Sequence, residues 1–180
     1  MRQNWQMWSG GLSDEDVSKI LADGSKVKSQ SATTFNNGDP SIRSSNVSWL
    51  TGNLEIQSIL WGYVKEANEN AFHVQVQNIC DMQFTEYHAK RNGHYDWHID
   101  VNWDGNEERD RKLSVTVQLS DPNEYEGGNF EFSECQTPDD SSRLKGTVLV
   151  FPSYLQHRVL PITSGTRRSL VAWFEGPRWQ

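Results

Sequence analysis

His94-Tyr-Asp-Trp-His-Ile-Asp100 is the stretch from which the rest of the chain can be read. On an extended backbone, residues two apart point to the same side, so His98 and Asp100 can reach one ion without a loop closing between them. A third ligand must come from elsewhere. His157 is the candidate, and Arg167 lies ten residues beyond it. Two imidazoles and one carboxylate on a single face of an octahedral ion leave three positions open to other molecules. Zinc accepts the same three ligands, but a hydrolytic zinc site has no need of a cation ten residues past the last histidine. Arg167 therefore favours iron. His73, His88 and His94 fit no such spacing and read as surface, core or loop histidines.

Around this stretch the apolar pattern repeats every second residue. Short runs at Phe72 to Val76, Met82 to Tyr87, Trp97 to Val101, Leu113 to Leu119, Asn129 to Phe132, Thr147 to Phe151 and Arg168 to Phe174 predict strands. Turn signals separate them, among them Arg91-Asn-Gly93, Asp121-Pro-Asn123 and Glu126-Gly-Gly128. Before Asn70 the period is helical. Ser13 predicts an N-cap for a helix that meets Gly24 at its far end, and Asn53 to Asn70 carries Ile56, Leu60, Tyr63, Val64 and Ala67 at three- and four-residue steps. Ser29 to Ser48, rich in Ser, Thr, Asn and Gly, reads as a long loop or edge hairpin that includes Ile42-Arg43-Ser44. Helices followed by strands predict a mainly β fold, a double-stranded β-helix (jelly roll) with N-terminal helices packed on one sheet. Residues 1–76 supply the helices and supporting strands, and 77–177 the jelly-roll core of the same domain.

The 180 residues fit one domain, with 35% hydrophobic and 23% charged residues. A net charge of −7 provides no overall electrostatic footprint for nucleic acid or an anionic membrane. Cys80 and Cys135 are too few for a disulfide framework and read as free thiols. No apolar run approaches membrane-spanning length, and the N-terminus lacks the apolar core of a secretory signal. The expectation is a cytoplasmic monomer. Eight tryptophans fit a large aromatic core or an aromatic groove, with Trp5 and Trp8 read as packing.

Further motifs follow in order: Tyr95, His98-x-Asp100, Leu113-Ser-Val-Thr-Val-Gln-Leu-Ser120, Tyr125-Glu-Gly-Gly128, Gly146-Thr-Val-Leu-Val-Phe-Pro152, His157-Arg-Val-Leu-Pro161, Gly165-Thr-Arg167, Trp173 and Gly176-Pro177. Through this series, from about Gln77 to Pro177, the chain resembles the iron and 2-oxoglutarate-dependent dioxygenases of the prolyl 4-hydroxylase type. The resemblance implies that His98, Asp100 and His157 bind Fe(II). It implies 2-oxoglutarate as cosubstrate, O₂, and ascorbate as reductant, with decarboxylation to succinate and CO₂ coupled to hydroxylation of a proline-containing peptide or protein.

The distal carboxylate of 2-oxoglutarate needs a cation, and Arg167 matches the family's step; a guanidinium can grip a carboxylate through two parallel hydrogen bonds. Arg168 competes for that role, but on a strand Arg167, Ser169, Val171 and Trp173 share a face from which Arg168 points away. Tyr87 matches a family tyrosine that bonds the cosubstrate. Ser114, Thr116 and Gln118 share one face of their strand, which is either a polar ligand wall or an ordinary solvent face. By the same resemblance Tyr95 and Trp173 flank a target proline ring and Arg111 holds substrate backbone, although Trp173 as core packing and Arg111 as a surface charge stay open.

Two other functions fit parts of the pattern. A nucleic-acid demethylase of the same superfamily shares the ligands but carries a second Arg six residues after the cosubstrate Arg, where this chain has Trp173. A non-catalytic jelly-roll binding or virion module retaining a metal for structure is the alternative of a different class.

Overall fold

In a computed structural model, which describes residues 3–32 and 39–180, the elements in chain order are β1 (Gln6–Trp8), α1 (Asp14–Lys26), β2 (Gln30–Ser31), β3 (Arg43–Ser44), β4 (Asn46–Trp49), α2 (Leu54–Ala67), β5 (Cys80–His88), β6 (His94–His98), β7 (Arg109–Gln118), β8 (Tyr125–Gly127), β9 (Phe130–Phe132), β10 (Val148–Pro152), β11 (His157–Val159) and β12 (Ile162–Pro177). The larger sheet has the order β1-β10-β7-β12-β5-β4-β2, with β8 beside the start of β12. The smaller sheet has the order β3-β6-β11-β9, and every pairing in both is antiparallel. This is the expected jelly roll. The polar stretch from Ser29 to Ser48 edges both sheets, because the chain crosses from β3 to β4 through Ser45; residues 33–38 of that stretch lie outside the described ones.

The two-residue period of the central strands sorts the side chains. Met82 and Phe84 of β5, Leu113, Val115 and Val117 of β7, and Leu170, Ala172 and Phe174 of β12 point to one side. There they pack against Val17 and Ile20 of α1 and Ile56, Leu60 and Val64 of α2 to form the main hydrophobic core. Their alternates, Gln83, Thr85, Ser114, Gln118, Arg167 and Ser169, are also buried, but on the side facing the smaller sheet. The solvent-face reading of Ser114 to Gln118 is therefore overturned: β7 is covered on both faces, by helices on one and by the second sheet on the other.

Both helices start where expected. The Ser13 side chain accepts from the Asp16 amide and Asn53 accepts from the Ile56 amide, each cap contributing about 1 kcal/mol. Their ends differ from expectation. Gly24 does not stop α1, which continues to Lys26; it is buried because the helix passes over the Phe84 ring there, and a Cβ would stand 2.6 Å from ring carbons. After α2 the chain makes a π turn, Asn68–Phe72, closed by His73 at φ 52°. The expected strand from Phe72 to Val76 does not form. Asn68 holds both backbone groups of Val74 through its side chain, and Phe72, Val74 and Val76 lie on the core as an extended covering segment.

Trp5 and Trp8 pack as expected, Trp5 with the Phe132, Phe151 and Leu155 cluster and Trp8 edge-on to Tyr63 of α2. Cys80 and Cys135 are free, and burial pushes the Cys80 thiol up to about 12, which makes it inert. No helix among the described residues is long and apolar enough to cross a membrane.

Gly24→Ala separates helix propensity from packing. Propensity alone raises stability by about 1 kcal/mol; overpacking against Phe84 lowers it by about 1–3 kcal/mol. A lowered denaturant midpoint is expected, measured by urea unfolding.

Candidate metal centre

His98 and His157 stand directly opposite each other on β6 and β11, which places their rings 4.2 Å apart between centroids. Asp100 comes to them differently from the strand-face expectation. β6 ends at His98, and Asp100 lies beyond it, off the ladder, with its amide donating to the Ser153 carbonyl at 2.9 Å. Its carboxylate nevertheless reaches both imidazoles: Oδ1 is 3.8 Å from His98 Nε2 and Oδ2 is 3.6 Å from His157 Nε2. One ligand atom from each of the three residues lies within 4.8 Å of the others, close enough for a single ion to gather them. Among the described residues this is the group of His, Cys, Asp and Glu side chains able to hold a metal.

The donor chemistry fits as well as the distances. Each imidazole directs Nδ1 to a backbone carbonyl, His98 to Asp96 at 2.8 Å and His157 to Leu155 at 2.9 Å, which leaves Nε2 as the free lone pair. Burial, with the neighbouring His157, pushes His98 down to about 3, so its ring stays neutral and available as a ligand. Asp100 is 5% exposed. Desolvation raises its pKa, but His157, His98, the Ser114 hydroxyl and Arg111 together outweigh burial and hold the carboxyl below its ordinary range. Ser114 Oγ donates to Asp100 Oδ2 at 2.7 Å and lies 2.9 Å from Ser153 Oγ.

The cluster opens into a cavity between the sheets. Arg167 lines it, is 5% exposed, and faces the Tyr87 ring at 5.7 Å, opposite Tyr87 in the β12–β5 register. It has no acidic partner among the described residues, whereas Arg168 points outward and pairs with Glu86 at 3.0 Å. The two arginines thus lie on opposite faces of β12, as the strand-face argument expects. Ser169 lines the same cavity. Gln118 does not line this cavity but an adjoining one that shares Arg167, and its amide donates to the Ser120 carbonyl and the Tyr125 hydroxyl. The cavity beside the cluster measures about 30 Å³, so a five-carbon dicarboxylate enters only if lining side chains shift.

At the mouth, Tyr95 stacks flat on His98 at 3.4 Å, and burial raises its phenol to about 12, which keeps it neutral. Trp173 is 7% exposed, its ring lies 4.0 Å under the Arg111 guanidinium, and its Nε1 has no hydrogen-bond partner. Arg111, expected just before its strand, lies within β7 and reaches the Asp100 carbonyl at 3.5 Å. Outside this rim is a larger groove of about 560 Å³, which shares Asp100 and Arg111 with the metal end and adds Asp81, Glu107, Glu108, Asp110 and Glu175.

Two site residues escaped sequence reading. Arg43 of β3 lies over the Tyr95 ring at 4.5 Å and donates to Gln83 at 2.7 Å, so both line the cavity. An apolar–Arg–Ser step inside a polar stretch was the available signal for Arg43; Gln83 offered only its place on the polar face of β5. His94, close enough to His98 to mislead, bonds the Asn92 and Ser41 carbonyls and lies outside the cluster.

Comparison with known proteins agrees with this geometry. The family described as the 2OG-Fe(II) oxygenase superfamily matches residues 82–175. A PKHD-type hydroxylase of a Synechococcus strain is 38% identical over 81 residues, covering 45% of this chain and 36% of that protein. A second, from Gloeothece citriformis, is 34% identical over 128 residues, covering 67% and 56%. The chain thus spans between about a third and just over half of these relatives' length. Among solved structures, a Pseudomonas putida prolyl-4-hydroxylase superposes with a TM-score of 0.73 at 18% identity, covering 98% of this chain and 94% of that one. The viral collagen prolyl hydroxylase of Paramecium bursaria Chlorella virus-1 superposes at 0.70 and 20%, covering 97% of each. With the family match extending from β5 to the end of β12 and taking in all three candidate ligands, the chain belongs to the 2OG-Fe(II) oxygenase superfamily.

Proposed function

We propose that the protein is an Fe(II)- and 2-oxoglutarate-dependent dioxygenase that hydroxylates prolyl residues in a peptide or protein, with ascorbate as reductant. One observation carries the cosubstrate reading: a buried arginine without an acidic partner among the described residues, Arg167, lines the same cavity as the His-Asp-His cluster. An uncompensated buried cation is costly, and an anionic ligand offsets that cost.

When bound, ferrous iron and 2-oxoglutarate supply the oxidative chemistry, decarboxylation to succinate and CO₂ with transfer of oxygen from O₂. The chain's part is binding and aim. His98, Asp100 and His157 hold the metal on one side. Arg167 takes the distal carboxylate, with Tyr87 and Ser169 beside it and Gln118 behind, and the surrounding walls keep out water that would weaken this pairing. Tyr95 and Trp173 form aromatic walls for a prolyl ring at the metal end of the outer groove. Arg111 presents donors to the peptide backbone, and the Trp173 Nε1 is a further donor without a partner among the described residues. The likeness in fold to solved prolyl hydroxylases supports the peptide reading.

The nucleic-acid demethylase reading is less well supported. Trp173 stands where that class carries a second arginine. The groove at the mouth also sets five carboxylates besides Asp100 against Arg109 and Arg111, which repels a phosphate backbone. The unpartnered Arg167 weighs against a non-catalytic module.

The protein is expected to bind one Co(II) or Fe(II) per chain by titration, and His157→Ala or Asp100→Ala to abolish both metal binding and succinate formation while the circular dichroism spectrum is kept. Proline-containing peptides incubated with Fe(II), 2-oxoglutarate and O₂ should gain the mass of one oxygen atom on the prolyl residue. Absence of cosubstrate binding to the metal-loaded protein, with no turnover of any peptide, overturns the enzyme reading. Arg167→Ala should raise the 2-oxoglutarate requirement by about 10-fold to 100-fold, since hydrogen bonds to charged groups contribute about 1.5–3 kcal/mol. Arg168→Ala should leave that requirement unchanged; the reverse pattern transfers the role to Arg168.

A further inference from the structure

Asp100 differs from the two histidines in how it is held. His98 and His157 sit on paired strands, whereas Asp100 follows the end of β6 and has no ladder partner on either side. A carboxylate on such a segment is free to rotate unless something else fixes it. Two serines occupy the place where that restraint has to come from. Ser114 lies in the middle of β7, with its backbone locked between Phe151 of β10 and Trp173 of β12, and Ser153 lies just past the end of β10. Both are 0% exposed.

Proton counting gives the pair a direction. An ionised carboxylate only accepts, and a hydroxyl has one proton to donate. Ser114 Oγ, 2.7 Å from Asp100 Oδ2, spends its proton there, so the 2.9 Å contact between the hydroxyls runs from Ser153 to Ser114. Ser153 also accepts the Asp100 amide on its own carbonyl at 2.9 Å and donates its amide to the Lys112 carbonyl at 3.0 Å. Asp100 is therefore gripped at its backbone by Ser153 and at its carboxylate by Ser114, and both grips are anchored in the larger sheet.

We propose that Ser153 and Ser114 form a hydroxyl relay that positions the metal carboxylate, holding Oδ2 of Asp100 from the protein side and so fixing the orientation in which the carboxylate meets the ion. This rests on the metal-site reading above. Partners of this kind fix ligand orientation, and their loss typically lowers metal affinity by about 10-fold to 100-fold. A purely structural role predicts something else, a less stable protein whose metal affinity is unchanged.

The test is Co(II) titration of the purified protein, followed by visible absorption, alongside thermal unfolding of the metal-free form. Ser114→Ala should weaken Co(II) binding by about 10-fold or more and alter the absorption bands of the bound ion. Ser153→Ala should weaken binding by less, because the Ser114 hydroxyl survives but loses its donor. Ser120→Ala is the control: Ser120 is equally buried and bonds the Thr166 carbonyl and the Arg168 amide, away from the cluster, so it should lower stability without changing Co(II) affinity. Affinity within about twofold of wild type in Ser114→Ala overturns the relay, as does an equal loss in Ser120→Ala. If Ser114→Ala does not fold, unchanged affinity in Ser153→Ala overturns it instead. No Co(II) binding by the wild-type protein overturns the metal site itself, a result distinct from either.

Discussion

Burial of the three central strands on both faces is the constraint on which the site depends. β5, β7 and β12 are covered by α1 and α2 on one side and by the smaller sheet on the other, so in their central stretches both sets of alternating side chains are largely withheld from bulk water. The apolar set seals against the helices, and that seal supplies most of the stabilising burial. The polar set is then carried by the strand period alone into the space between the sheets. A buried hydroxyl, amide or guanidinium there must find a partner or a ligand, because leaving it unpaired costs about 1–3 kcal/mol. Thr85, Ser114 and Gln118 find partners within the protein; among the described residues the Trp173 Nε1 has none, and Arg167 has no acidic partner.

The smaller sheet contributes the other half of the site through register. Pairing His98 with His157 across β6 and β11 is a backbone hydrogen-bonding decision, and it places two ligands on one spot before any metal arrives. Stacking then stiffens that spot. Tyr95 lies on His98, Arg43 lies on Tyr95, and Phe130 lies on His157 at 5.3 Å. The ligand rings are thus held by neighbours on several elements, which suits a site that must keep its geometry while a cosubstrate enters and leaves.

Charge follows the same division of labour. Inside, two arginines, Arg43 and Arg167, share the cavity with one carboxylate, Asp100, in surroundings where screening by water is weak. Outside, the groove is lined by unlike numbers of acids and arginines, with acids in excess. An anionic small molecule is favoured at the inner end and a polyanion is disfavoured at the outer end.

Much of this was legible in the sequence, where the signal was local. The two-residue period marked β5, β7, β10 and β12, the Ser13 cap and the three- and four-residue steps after Asn53 marked the two helices, and the spacing of His98, Asp100, His157 and Arg167 marked the candidate centre. The choice of Arg167 over Arg168 also followed from strand parity, a property of neighbouring residues. What stayed hidden depends on partners far apart in the chain. Gly24 resembled a helix stop until Phe84, sixty residues on, was seen beneath it. Ser114 to Gln118 resembled a solvent face until the second sheet covered it. Arg43 joined the site only because β3 pairs with β6, and Asp100 was fixed by serines of β7 and of the turn after β10 rather than by its own strand. Periodicity and capping are set by interactions within a few residues, so the sequence determines them alone; register, covering layers and the orientation of a ligand off the ladder are set by long-range packing, and only the tertiary structure decides them.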